Sequence, residues 1–312
     1  MSALVDNLAA AFGAGRIMVD APLAPLTTFK VGGPADVLFE PVNSDEVLKA
    51  LAMARAAGQP VTMLGGGSNV LVSDRGVRGL VIRPRGGAVH AVGDRLVRAD
   101  AAVTINGLVR WTITHGYAGL AAWAGTPGTV GGAIYGNAHW QKTNIGDLVE
   151  SVRLVRPDGT LLQAPADRME FDYDYSRLKR TGEIVLWAAF RVAPGADPAA
   201  LRLVARESLA FRKRTQPLAS PSAGCIFMNP DPSRDRIPEG IPPSAGALVD
   251  RAGLKGAARA GARVSLTHAN FVINDGTATA ADIKALVEEC RAAVKERFGV
   301  TLRDEIICLG QF

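Results

Sequence analysis

The residues best suited to chemistry in this sequence are gathered in two glycine clusters. The first, Leu64-Gly65-Gly66-Gly67-Ser68-Asn69-Val70-Leu71, lies between two short apolar runs. Three consecutive glycines let the backbone take positive φ and turn successive N–H groups toward one point, so the chain can cradle a pyrophosphate without a charged side chain. Ser68 and Asn69 add a hydroxyl and an amide donor. The second, Gly125-Thr126-Pro127-Gly128-Thr129-Val130-Gly131-Gly132-Ala133-Ile134-Tyr135-Gly136-Asn137, again joins glycines to hydroxyl-bearing residues. Either cluster alone reads equally well as a set of tight turns. Two in one region point to a long, dinucleotide-like ligand. The first lacks the Lys-Ser/Thr that ends a P-loop, and neither gives G-x-G-x-x-G between a strand and a helix. A P-loop nucleotide hydrolase and a Rossmann dehydrogenase are both disfavoured.

Other chemistries find little support. Cys225, Cys290 and Cys308 are odd in number and form no C-x-x-C pair, which argues against a disulfide framework and a zinc knuckle. The four histidines, His90, His115, His139 and His268, include no i, i+4 pair, so no metal site is expected.

The elements that must position these residues alternate between helical and strand periodicity, which makes the fold mixed α and β. Ser44 is placed to cap a helix with Asp45 and Glu46 in its first turn, an apolar face of Val47, Leu48, Leu51 and Ala54, and Gly58 and Pro60 as its stop. Strands are predicted at 61–64, 79–83, 95–99, 152–156, 184–192, 264–274 and 305–309. Asp197 and Pro198 open a helix that closes on Arg212, Lys213 and Arg214. The last long helix starts at Thr279, with Asp282 three residues on, buries Ile283, Leu286, Val287, Cys290, Val294 and Phe298, and stops at Gly299. Seven prolines between Pro217 and Pro243 mark a boundary between a first domain and a smaller second one.

A chain of 312 residues with 48% apolar and 21% charged residues is an ordinary globular protein with ample length for a core. No apolar run approaches the roughly 20 residues of a membrane span, and the first residues carry no export signal, so a soluble cytoplasmic protein is expected. Thirty-five Lys plus Arg against 30 Asp plus Glu leaves +5, spread along the chain, and aromatics make up only 6%. That permits anionic ligands without arguing for nucleic acid.

Five motifs in order carry a resemblance: Thr27-Thr28-Phe29-Lys30-Val31-Gly32-Gly33-Pro34-Ala35, the Leu64–Leu71 cluster, Gly125–Asn137, Ser222-Ala223-Gly224-Cys225-Ile226-Phe227, and His268-Ala269-Asn270-Phe271-Val272-Ile273-Asn274. From about residue 20 to its end, the chain resembles the UDP-N-acetylenolpyruvoylglucosamine reductase family. The resemblance implies an α+β fold: an FAD-binding domain of the vanillyl-alcohol-oxidase-like (PCMH) type over 1–216, in two subdomains of about 1–85 and 86–216. A substrate-binding domain over 217–312 follows, whose last strand, about 301–312, returns to the FAD region. It also implies a reaction in which NADPH is the hydride donor to FAD and UDP-N-acetylglucosamine enolpyruvate, a small sugar nucleotide, becomes UDP-N-acetylmuramate for peptidoglycan.

The FAD loops implied by the resemblance fall on Gly65, Gly66, Gly67, Ser68 and Asn69, and on Thr126, Gly128, Thr129 and Gly132. Neither offers a histidine for a covalent link, so the FAD is expected to be non-covalent. A glutamate that assists proton transfer in the family maps to Glu305, and the family's proton-donating serine maps to Cys225. A thiol also donates a proton, with a reference pKa of about 8.5. Asn229 matches a substrate-contacting asparagine. Departures accompany these matches: Asp174 stands where the family has arginine, Met228 where lysine is common, Ala247 where lysine or tryptophan is usual, and His139 in place of a glycine. A carboxylate cannot stabilise a developing anion, so Arg177, or else Lys179, is the candidate replacement cation. Two other readings stay open, a same-fold flavoprotein with an altered substrate and a non-catalytic sugar-nucleotide- or flavin-binding relative.

Overall fold

Strands with alternating apolar residues build the largest sheet. In this computed structural model, which describes residues 1–312, its order is Leu161–Pro165, Val149–Val155, Ile184–Arg191, Leu96–Asp100, Val89–Val92, every neighbouring pair antiparallel. Val97 and Ala99 lie opposite Phe190 and Ala188, so the period of two puts all four on one buried face. That face packs with Ile105, Leu108 and Val109 of the helix Ile105–Thr114 and with Ile134 of the helix Val130–Gly136. Truncating Phe190 to Ala would cost about 3–5 kcal/mol on the usual scale for a buried aromatic.

A four-stranded sheet runs Ile17–Pro22, Pro34–Phe39, Val77–Ile82, Val61–Met63. Val61–Met63 is parallel to the strand beside it, with Val61 opposite Leu80. Val37, Phe39, Leu80 and Ile82 bury against Leu4 and Leu8 of the helix Ser2–Phe12 and Ala50 and Ala54 of the helix Ser44–Ala56. By internal contacts the chain divides into two units, one of residues 1–19, 37–66 and 79–211, the other of 20–36, 67–78 and 212–312.

In the second unit the helix Ala280–Phe298 buries Ile283, Leu286, Val287, Cys290 and Val294 in a core shared with Phe29, Leu71, Ile226 and Leu248. Thr279 and Asp282 form the expected capping box, and Gly299 ends the helix at φ 72. Asp74 adds a second cap, accepting the Ala280 and Ala281 N–H groups at 2.9 Å each. Val70–Val72 pairs in parallel with Ile307–Leu309.

Local differences from the sequence expectations have identifiable causes. Asn43, not Ser44, caps its helix, accepting the Glu46 N–H at 2.9 Å. Residues 264–274 do not form one strand: Ala262–Val264 and Val272–Asn274 pair antiparallel around a loop, because Ser265 and His268 close a turn there. The last strand begins at Ile307, leaving Glu305 before it. The second glycine cluster contains a helix, Val130–Gly136, despite three glycines with poor helix propensity. Thr129 caps it, and Asn137 ends it at φ 46, with its amide donating to Asp172 O at 2.8 Å and its Oδ1 accepting from Gly146 at 2.9 Å.

Candidate active site

The first glycine loop leaves the sheet where the Leu64 N–H donates to Ile82 O at 2.9 Å. A Cβ on Gly65 would lie 2.7 Å from Thr129 Oγ1, and one on Gly66 would lie 2.7 Å from Gly128 Cα. The two glycine clusters therefore touch, backbone against backbone, and only glycine fits there. Gly67 takes φ 64, and the N–H groups of Gly65, Gly66, Gly67 and Ser68 find no acceptor within the protein. Four such donors in succession on one strand-end turn are free to meet an anion, which makes the turn a candidate anion nest.

The second loop is held differently. Asn106 accepts the Gly125 N–H at 2.7 Å and donates to Thr126 O at 3.3 Å, while the Gly131 N–H is spent on Ala101 O and that of Gly132 on Thr129 Oγ1. The Thr129 hydroxyl is thus a helix cap, and Gly128 and Thr129 offer a surface of backbone. A cavity of about 510 Å³ opens beside them, lined by Gly65, Gly66, Arg83, Arg85, Thr104, Trp111 and Thr129 among others. Glycine nest, arginines and an indole together match the chemistry of a nucleotide with phosphates and a flat base, so these residues fit an FAD. Sequence reading had no signal for Arg83, Arg85 or Trp111, because nothing local marks them as cavity walls.

Cys225 and Glu305, eighty residues apart, are brought together by backbone pairing. Phe227 bridges Asp304, the Glu305 N–H donates to Ile226 O at 2.8 Å, and Met228 N–H donates to Arg303 O at 2.9 Å. Buried Asn270 locks the same segment, accepting the Phe227 N–H at 2.9 Å and donating to Phe227 O at 2.8 Å, while its carbonyl accepts the Ile226 N–H. Burial pushes the Cys225 thiol far above the usual thiol range, the Glu305 carboxylate adds to the rise, and a hydrogen bond with Asn270 offsets part of it. Such a thiol stays protonated at neutral pH, which suits an acid and not a nucleophile. Asn270 belongs to a motif visible in sequence, and its signal is an amide flanked by apolar residues, which must find buried partners.

Asn69 lies beside this pair, its amide donating to Glu305 O at 3.0 Å. Asn229 accepts the Ala245 N–H at 3.0 Å where the helix Ala245–Arg251 begins, and Ala247 sits in that helix's first turn.

Asp174 is 6% exposed and takes φ 49. Its backbone carbonyl and carboxylate accept Lys179 Nζ at 2.6 and 3.1 Å. Burial raises its pKa, with Lys179 opposing the rise, and burial together with the Asp174 charge raises that of Tyr135. Arg177 grips buried Glu183 in a bidentate pair, at 2.8 and 3.0 Å, and donates to Arg168 O at 2.9 Å. His139 lies against Tyr173, ring centroids 5.1 Å apart.

Residues 216–309 match the family description UDP-N-acetylenolpyruvoylglucosamine reductase, C-terminal domain, and residues 35–164 match that of an FAD binding domain. A UDP-N-acetylenolpyruvoylglucosamine reductase of Parasynechococcus marenigrum is 40% identical over 293 residues, covering 93% of this chain and 94% of the relative. The chain belongs to the UDP-N-acetylenolpyruvoylglucosamine reductase family. A Bacillus cereus member is 37% identical over 314 residues, covering 100% of both chains. The crystal structure of the Thermus caldophilus reductase superposes with a TM-score of 0.77 at 31% identity, covering 94% of this chain and 98% of that one. As a member of this reductase family the protein is an FAD-dependent oxidoreductase of α+β fold, with a PCMH-type FAD-binding domain and a C-terminal domain. No helix in it is long and apolar enough to cross a membrane.

Proposed function

We propose that this protein reduces UDP-N-acetylglucosamine enolpyruvate to UDP-N-acetylmuramate in the cytoplasm, with NADPH as reductant and non-covalent FAD as carrier, as a step of peptidoglycan precursor synthesis. The observation that carries the reading is the backbone pairing that sets Cys225 beside Glu305, at the position to which the resemblance maps the family's proton donor, with burial holding the thiol protonated. Bound FAD supplies hydride chemistry. The Gly65–Ser68 nest and the cavity walls Arg83, Arg85 and Trp111 hold the dinucleotide, and residues 217–312 hold the sugar nucleotide, with Asn229 among its contacts.

Cys225 gives its proton to the substrate carbon that has become electron-rich. The thiolate left behind faces the Glu305 carboxylate in a poorly solvated place, so it is strained and recovers a proton from solvent readily. Asn270 keeps the thiol aimed by fixing Ile226 and Phe227. For the cation, Lys179 is the better candidate. Arg177 is committed to Glu183 and Arg168, whereas Lys179 keeps about a quarter of its side chain exposed while gripping Asp174. Asp174 itself favours a second reading, a flavoenzyme of this family with an altered substrate, because it buries an acid where the resemblance expects a base.

Steady-state turnover separates the two. The proposal expects NADPH oxidation that depends on the enolpyruvyl sugar nucleotide and yields UDP-N-acetylmuramate by mass spectrometry. A flavin-loaded protein that NADPH reduces but that forms no such product supports the altered-substrate reading.

A further inference from the structure

Asn69 ends the first glycine loop, where its amide reads as a phosphate donor. The structure gives that amide another partner. Asn69 Nδ2 donates to Glu305 O at 3.0 Å, and because a carbonyl only accepts, the contact requires the NH2 side of the amide. One peptide further on, Asn69 O accepts the Ile307 N–H at 3.0 Å, the first rung of the parallel pairing between Val70–Val72 and Ile307–Leu309. Asn69 therefore spans residues 305 to 307 with both its side chain and its main chain.

Glu305 is fixed from its other side as well, its N–H donating to Ile226 O at 2.8 Å. The two backbone groups of Glu305 are thus clamped, one to the segment that carries Cys225 and one to the loop that carries the anion nest. The amide contact is the one part of this clamp made by a side chain, and so the one part a substitution can remove without altering the strand pairing.

We infer that Asn69 is a positioning residue for Glu305, so that the loop cradling the cofactor phosphates also sets the carboxylate beside the proton-donating thiol. The inference rests on the proposed reduction, in which Glu305 assists proton transfer. Its consequence is a division of labour within five residues: the free backbone N–H groups of Gly65 to Ser68 would hold the phosphates, and the Asn69 side chain holds the backbone of Glu305. Misplacing a catalytic group by about 1 Å costs as much as about 10²-fold in rate.

The test uses the flavin-loaded protein and two substitutions, Asn69→Ala and Asn69→Asp, with the two half-reactions measured separately under anaerobic conditions. In Asn69→Ala, reoxidation of the reduced protein by the enolpyruvyl sugar nucleotide should slow by about 10–100-fold, while reduction by NADPH slows by less than about threefold. Asn69→Asp has the same shape but presents an acceptor to an acceptor when ionised. As pH falls its carboxyl takes up a proton and becomes a donor again, so reoxidation relative to wild type at the same pH should recover toward acid in Asn69→Asp and stay slow in Asn69→Ala. A merely structural role would not produce that pH-dependent rescue. Loss of FAD in both variants with normal reoxidation of the loaded fraction would make Asn69 a phosphate ligand and overturn the inference, as would equal slowing of both half-reactions. A wild-type protein that the sugar nucleotide fails to reoxidise would overturn the reaction itself, and the positioning role with it.

Discussion

Replacing Cys225 with alanine isolates the proton-transfer step from everything that holds the site together. The backbone pairings that fix this segment are made by neighbours, namely Ile226 and Glu305 through their backbones and Phe227 through Asn270, so Cys225→Ala keeps them and loses only the thiol's own hydrogen bond with Asn270. The fold should lose only that bond and the sulfur of a half-buried residue, about 1–2 kcal/mol. The rate effect is larger. A positioned general acid contributes about 10²–10⁴-fold, or about 2.7–5.4 kcal/mol of barrier, and that loss should fall on reoxidation of the reduced flavin alone. Stopped-flow absorbance of the flavin, with NADPH reduction and sugar-nucleotide reoxidation followed in separate mixes, reads the two steps. Cys225→Ser restores a proton donor in the same place and should return reoxidation to within about tenfold of wild type. The raised thiol pKa adds a chemical corollary: the thiolate fraction falls about tenfold for each unit that the pKa exceeds the pH, so Cys225 should resist alkylation at neutral pH. Normal reoxidation in Cys225→Ala would show that another group delivers the proton, and rapid alkylation that blocks turnover at neutral pH would show that the thiol is not held protonated.

Other perturbations test the frame around that step. Gly66→Ala puts a Cβ 2.7 Å from Gly128 Cα, so flavin content should fall while far-UV circular dichroism is preserved; full FAD occupancy would mean the loops yield freely. Arg177→Ala leaves Glu183 to Arg156 at 3.6 Å and Thr181 at 2.9 Å, so urea unfolding should show a loss of about 2 kcal/mol, below the ~3–5 kcal/mol of a fully orphaned buried charge. Turnover per bound flavin should change less in Arg177→Ala than in Lys179→Ala, and the reverse order would return the cationic role to Arg177. Burial raises the Cys290 pKa to about 12. The unfolded chain loses that proton first, near the ordinary thiol value of about 8.5, so stability is full below it and falls as pH rises toward 12, at up to about 1.4 kcal/mol per unit. Cys290→Ala should flatten that alkaline slope in denaturant titrations.

The parts of this protein that sequence made visible are those in which one residue type answers a local demand. Gly66 is an example: a backbone pressed against Gly128 admits no side chain, and the run of glycines announces it. Thr279 with Asp282 is another, since a capping box is complete within four residues. What stayed hidden depends on pairing between distant segments. Cys225 and Glu305 are neighbours because Phe227 bridges Asp304, a register that no spacing between them encodes. The helix Val130–Gly136 was masked by its glycines, its support coming from Thr129 at one end and Asn137 at the other. Asn69 was legible as part of a phosphate loop and not as a clamp on Glu305, because its partner lies 236 residues away.

In the proposed reaction the reduced flavin of this protein is discharged by the enolpyruvyl sugar nucleotide. Its most direct test is an anaerobic titration in which the purified, FAD-loaded protein is bleached with one equivalent of NADPH and then given UDP-N-acetylglucosamine enolpyruvate in steps. Flavin absorbance should return in proportion to the sugar nucleotide added, reaching completion at one equivalent per flavin with UDP-N-acetylmuramate as product. A flavin that stays bleached through excess sugar nucleotide and recovers only when oxygen is admitted would contradict it.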